Sequence, residues 1–111
     1  MNFELKENGT SVVFKLKERK LDASVSPELK AEFLLLCNSK VKTLIVDLSK
    51  VEFCDSSGLS ALLIADRRMK ERNGKVKLAG LQKKVLSLLK ISQLDRTFEI
   101  YETVAKALKS S

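Results

Sequence analysis

The chain has 111 residues, 44% of them hydrophobic, with a single proline and a formal net charge of +7. That length suits one domain over residues 1–111, whose single core needs no disulfide. The absence of histidine excludes a Ser-His-Asp triad, a Cys-His pair and a Cys/His zinc site together. With no Walker loop, no Gly-x-Ser-x-Gly and no Gly-x-Gly-x-x-Gly, neither catalysis nor a bound cofactor or metal is expected.

The chain opens with two strand patterns, Phe3 to Leu5 and Ser11 to Leu16, with Asn8-Gly9 between them as a hairpin signal. Ser26-Pro27-Glu28 marks a helix start, after which Leu29, Phe33, Leu36 and Cys37 share one helical face. Thr43 to Leu48 is an apolar run rich in β-branched residues, the pattern of a central strand covered on both faces. From Ser57, Leu59, Leu62, Leu63 and Met69 recur at helical spacing until Asn73-Gly74, a C-terminal stop. Val76 and Leu78 alternate with Lys75 and Lys77, predicting a half-exposed strand. Leu81, Val85, Leu88 and Leu89 then predict a helix, Phe98 to Tyr101 a short strand, and Val104, Ala107 and Leu108 a closing helix. The order β-β-α-β-α-β-α-β-α implies a mixed, largely parallel sheet backed by helices.

No apolar run reaches the roughly 18 residues of a membrane span. Met1-Asn2-Phe3-Glu4 lacks the basic-then-apolar order of a secretory signal. A soluble, cytoplasmic domain is expected, with Cys37 and Cys54 as small buried thiols inside apolar runs.

Val51-Glu52-Phe53-Cys54-Asp55-Ser56-Ser57-Gly58-Leu59 ends an apolar run in an acid, two hydroxyls and a glycine just where a helical pattern begins. Such residues cap a helix; a hydroxyl at the same junction also faces partners, and the helix N-terminus tolerates a phosphate there. The residues alone leave both readings open. Charge is concentrated immediately downstream. Residues 66–90 carry nine Lys/Arg against two Asp/Glu, whereas residues 1–65 balance nine against nine and residues 91–111 three against three. Arg67, Arg68, Lys70 and Arg72 form its leading patch, suited to steering an acidic partner or to a solvated helix face. Binding of nucleotides or nucleic acid is a weaker reading, since the segment has no aromatic residue to stack on a base.

The run Leu44-Ile45-Val46-Asp47-Leu48, continued through Asp55-Ser56-Ser57-Gly58-Leu59, resembles the signature of STAS domains, found in bacterial anti-sigma factor antagonists and in the cytoplasmic tails of sulfate transporters. The likeness extends upstream through Leu21-Asp22 and Pro27-Glu28-Leu29 and downstream through Leu94, Phe98 and Thr103 to Leu108. Arg19, Ser60 and Gln93 stand where the family usually has glycine. The resemblance implies a STAS-like α/β fold and a protein-binding switch. Such a domain docks onto an anti-sigma factor that is also a serine kinase, releases the sigma factor, and is inactivated when the kinase phosphorylates the serine after the aspartate. By position that is Ser56, with Ser57 the second choice. Asp22, Asp55, Ser57, Gly58 and Ser60 would complete the partner-binding surface. A constitutive STAS adaptor of a lipid-transport ATPase complex is the alternative within the same fold.

Overall fold

The computed structural model describes residues 1–38 and 40–110. Strands β1 (Phe3–Asn8) and β2 (Ser11–Leu16) form the opening hairpin, with Asn8 opposite Ser11. Its loop is therefore Gly9-Thr10, and Gly9 takes a φ of +63° that side-chain-bearing residues avoid. β1 runs past the expected end at Leu5 because it lies at the sheet edge, where Lys6 and Glu7 stay in water while their backbones pair.

After a two-residue strand β3 (Lys20–Leu21), helix α1 spans Ser26–Leu36 with Pro27 in its first turn. Ser26 does not cap it. The Asp22 carbonyl accepts from the N–H groups of Val25 and Ser26, and the buried Ser26 hydroxyl donates instead to the Ser57 carbonyl at 2.9 Å. Leu29 and Phe33 are fully buried on the inner face, while Leu36 is half-buried.

Strand β4 (Thr43–Asp47) occupies the middle of a five-stranded sheet. Its neighbours are β2 and strand β6 (Lys75–Ala79), and the edges are β1 and strand β7 (Glu99–Tyr101). Only β1–β2 is antiparallel; the other pairings are parallel. Leu44 and Val46 enter the large core with Phe14, Phe33 and Leu62. Ile45 points to the opposite face, against Val13, Ala79 and Ala107, so both faces are covered, as an unbroken apolar strand requires. Phe14 lies among rings, stacked on Phe3 with centroids 4.8 Å apart and edge-on to Phe33 at 5.2 Å.

A second strand pair was not legible from the sequence pattern. β5 (Phe53–Cys54) runs parallel to β3, with Leu21 opposite Cys54, and two-residue strands are too short to show periodicity. Helix α2 (Ser56–Glu71) starts directly from this ribbon. A Cβ at Gly58 would lie 2.4 Å from the Leu21 carbonyl oxygen, 2.6 Å from Leu21 Cγ and 2.9 Å from Cys54 Sγ. Glycine is what lets the first turn of α2 seat on the ribbon. At the other end Asn73, at a φ of 60°, and the Gly74 N–H, bonded to the Met69 carbonyl at 2.7 Å, stop the helix as expected.

β6 departs from the half-exposed strand predicted. Val76 to Ala79 are all buried, Lys77 included at 2% exposure. Helix α4 (Val104–Lys109) covers that face. Lys77 Nζ donates to the carbonyls of Ala107, at 2.9 Å, and Ser110, and lies 5.2 Å from the Tyr101 ring centroid. The lysine thus caps the carbonyl end of α4 from within the sheet.

Helix α3 (Lys83–Ile91) begins two residues after Leu81, and a 3₁₀ turn over Leu94–Arg96 leads to the buried Phe98 and then β7. Gln93, between α3 and that turn, holds a left-handed φ of 62°, which accounts for glycine as the usual residue there.

Two substitutions test these constraints. Gly58→Ala overpacks the seat of α2 and should lower stability in urea unfolding by about 2–3 kcal/mol. Gln93→Gly relieves a left-handed side chain but loosens the unfolded chain, for a net gain of about 0.5–1 kcal/mol in the same measurement.

Candidate functional site

β5 delivers Asp55 in extended conformation (φ −120°, ψ −173°) as the N-cap of α2. Its Oδ1 accepts from the N–H groups of Ser57 at 2.9 Å and Gly58 at 3.1 Å. Its own N–H donates to the Leu21 carbonyl, fixing the cap to β3. A carboxylate here satisfies two orphan donors and opposes the positive end of the helix dipole. Capping, one of the two readings left open by the sequence, therefore belongs to Asp55. Ser56, at the first helical position, is exposed and takes no part in the cap. Ser57 is half-buried, its carbonyl held by Ser26.

Ser56, Ser57 and Ser60 line one side of a groove of about 360 Å³, with Ser26, Pro27 and Lys30 of α1 on the other. Lys30 brings an ammonium group to this groove. Sequence reasoning missed it, because only the packing of α1 on α2 brings position 30 to position 56.

Asp22 sits in the β3–α1 turn beside the groove. Its Oδ1 accepts from the Ser24 N–H at 3.0 Å and the Ser24 hydroxyl at 2.6 Å. The Ser24 hydroxyl, followed by its N–H, holds the Asp22 carboxyl below the ordinary carboxylate range. Asp22 thus shapes the loop that borders the serines.

The same turn borders a second, larger groove of about 690 Å³, where Ser24 and Val25 face Lys20, Lys84 and Phe53. Phe53 is 49% exposed, an apolar ring two residues before the cap. Arg19 lines this groove and bonds Glu52 in a fork, Nε to Oε2 at 2.8 Å and Nη2 to Oε1 at 3.0 Å, which lowers the Glu52 carboxyl. The two side chains that replace family glycines near the site are thereby separated, Arg19 in one groove and Ser60 in the other.

The basic patch is not beside the serines. Arg67, Arg68, Lys70 and Arg72 are all exposed, but at about 1.5 Å rise per residue Arg67 lies roughly 17 Å and Arg72 roughly 24 Å along the axis from Ser56. Lys70 is also paired with Asp66 at 2.9 Å. Adjacency in sequence becomes opposite ends of one helix. Cys37 and Cys54 are free and buried. Burial pushes Cys37 up to about 11 and Cys54 up to about 12, so both stay protonated at neutral pH and neither is a ready nucleophile.

Comparison with known proteins agrees with this geometry. An anti-sigma-B factor antagonist of Listeria monocytogenes is 26% identical over 100 residues, covering 90% of this chain and 88% of that protein. An anti-sigma factor antagonist STAS domain protein of Planctomyces limnophilus superposes with a TM-score of 0.89 at 20% identity, over 97% of this chain and 95% of that one. The phosphorylated form of the Bacillus cell fate determinant SpoIIAA gives a TM-score of 0.77 at 22% identity, over 97% of each chain. The STAS domain family model matches residues 2–107. With that model spanning nearly the whole length, the chain belongs to the STAS domain family.

Proposed function

We propose that this protein is an anti-sigma factor antagonist that docks onto a serine kinase acting as anti-sigma factor, releases the sigma factor, and is switched off when the kinase phosphorylates Ser56. The observation that carries this reading is the division of labour at the start of α2. Asp55 does the capping, and the Ser56 hydroxyl is left exposed beside a groove. The relatives named as anti-sigma factor antagonists support the partner class, and the phosphorylated form of the Bacillus protein supports the modification.

The docking surface in this reading is the β3–α1 turn with Asp22, flanked by Ser56, Ser57 and Ser60 on one side and Phe53 on the other. Gly58 acts from beneath, by seating α2, rather than by touching the partner. ATP and magnesium come from the kinase, so this chain is a substrate and not an enzyme. No helix among the described residues is long and apolar enough to cross a membrane, which fits a cytoplasmic encounter with a sigma-factor system. A phosphate on Ser56 adds about −1.5 to −2 charges beside Asp55. The helix N-terminus stabilises that charge within the domain, but an interface shaped around a neutral hydroxyl pays for it in repulsion and desolvation.

Calorimetric titration against the kinase partner, captured from native extract, tests the switch. Ser56→Ala should bind like wild type and take up no phosphate. Ser56→Asp should lose about 1–3 kcal/mol, roughly 5-fold to 150-fold in Kd, with an unchanged melting temperature. Equal affinities for all three would favour the constitutive adaptor, and labelling that persists in Ser56→Ala but vanishes in Ser57→Ala would move the site by one residue.

The distant basic patch has a separate test. Reversing Arg67 and Arg72 to Glu should slow association about tenfold at ~0.01 M salt, where the field extends about 30 Å, and have little effect at ~0.15 M, where it decays within about 8 Å. Stopped-flow association rates read this directly, and insensitivity to both salt and reversal would return the patch to a solvated helix face.

A further inference from the structure

Among the described residues, no strand pairs with the outer edge of β1. Glu4 to Asn8 are all exposed, and β1 has β2 as its one neighbour in the sheet. The Lys17 N–H bonds to the Asn2 carbonyl at 2.8 Å, which sets the phase of the ladder. By antiparallel alternation the even positions, Glu4, Lys6 and Asn8, exchange hydrogen bonds with β2, and the N–H and C=O groups of Phe3, Leu5 and Glu7 point away from the sheet. Such an edge is a template for another strand.

The side chains along it select a specific partner. Pairing of β1 with a second β1 about a two-fold axis must set odd positions opposite odd positions, because only those carry outward groups. Three central registers meet this condition. An axis through Glu4 sets Glu4 against Glu4, and an axis through Lys6 sets Lys6 against Lys6; both place like charges directly opposite, which destabilises a strand pair. An axis through Leu5 sets Leu5 against Leu5, Phe3 against Glu7, and Glu4 against Lys6 twice. That register also uses every outward N–H and C=O of Phe3, Leu5 and Glu7. Leu5 lies opposite Phe14 on the core side of the sheet and is 46% exposed, so the symmetric contact covers an apolar side chain that the single domain leaves in water.

We propose that β1 is a homodimerisation edge, which joins two copies antiparallel about Leu5 into one continuous sheet, with the Glu4–Lys6 pairs fixing the register. The interface is isologous and closes at two copies. It does not depend on Ser56 or on the kinase reading.

Sedimentation equilibrium of the intact chain from about 5 to 500 µM, at fixed salt, should show a mass that doubles with concentration. Glu4→Lys sets lysine against lysine at both pairs and Lys6→Glu sets glutamate against glutamate. Each should weaken self-association about tenfold or more, with melting curves confirming that both variants fold. Mixing the two restores opposite charges at both positions and should recover a heterodimer at wild-type strength. Hydrogen exchange should show the Phe3, Leu5 and Glu7 amides slowed in the wild-type dimer relative to the dilute chain. A monomer over the whole range would overturn the proposal. So would single variants that associate like wild type, a mixture that stays monomeric, or a dimer in which these amides remain unprotected, since the last would place the contact on another face.

Discussion

Asp55 ties a strand with its backbone and begins a helix with its carboxylate, and the geometry of the site follows from that double use. Its N–H is tied to β3, while one of its carboxylate oxygens takes the second and third amide donors of α2, those of Ser57 and Gly58. The cap holds only if the helix approaches the ribbon closely, and Gly58 allows that approach where any Cβ would strike Leu21. Cap and glycine are therefore one constraint. Loss of either would let the start of α2 lift from the sheet edge and carry Ser56 with it.

The same constraint arranges the local charges. An exposed hydroxyl at the first helical position faces the positive end of a helix whose cap is already anionic. An added phosphate there meets favourable dipole and amide terms from the backbone and an unfavourable term from its aspartate neighbour. Lys30, across the groove, contributes a positive charge from α1. The site can thus accept a change of charge without a change of fold, which is what a switch read by docking requires.

Legibility in the sequence followed the length of each element. β4 and α2 announced themselves because several consecutive residues repeat one period, and the Asn73-Gly74 stop carried its own chemistry. The β3–β5 ribbon, two residues on each side, left no periodic trace, although it positions the whole site. Lys77 misled because alternation of Lys and Val reads as one wet face; the face is dry, covered by α4, with the ammonium group satisfied by carbonyls. At the site, Asp55, Ser56 and Gly58 were legible as a local motif. Lys30 and Phe53 were not, since their relevance depends on packing between distant segments, and the basic patch seemed close to the serines only because a linear sequence hides the rise of a helix.

The two faces of the sheet differ greatly in how firmly they are closed. Three helices seal one against a core of Phe14, Phe33, Leu62 and their neighbours. The other is sealed by the six residues of α4, resting on Ala107 and on the Lys77 anchor. Opening free energies in a folded protein scale with the apolar surface and hydrogen bonds that must be given up, so α4 is less costly to open than the three-helix face. Its transient release exposes the Ile45 face and frees the Lys77 ammonium while α1, α2 and the Asp55 junction stay assembled. The Asp55 junction is thereby insulated from the face of the domain that opens at lower cost.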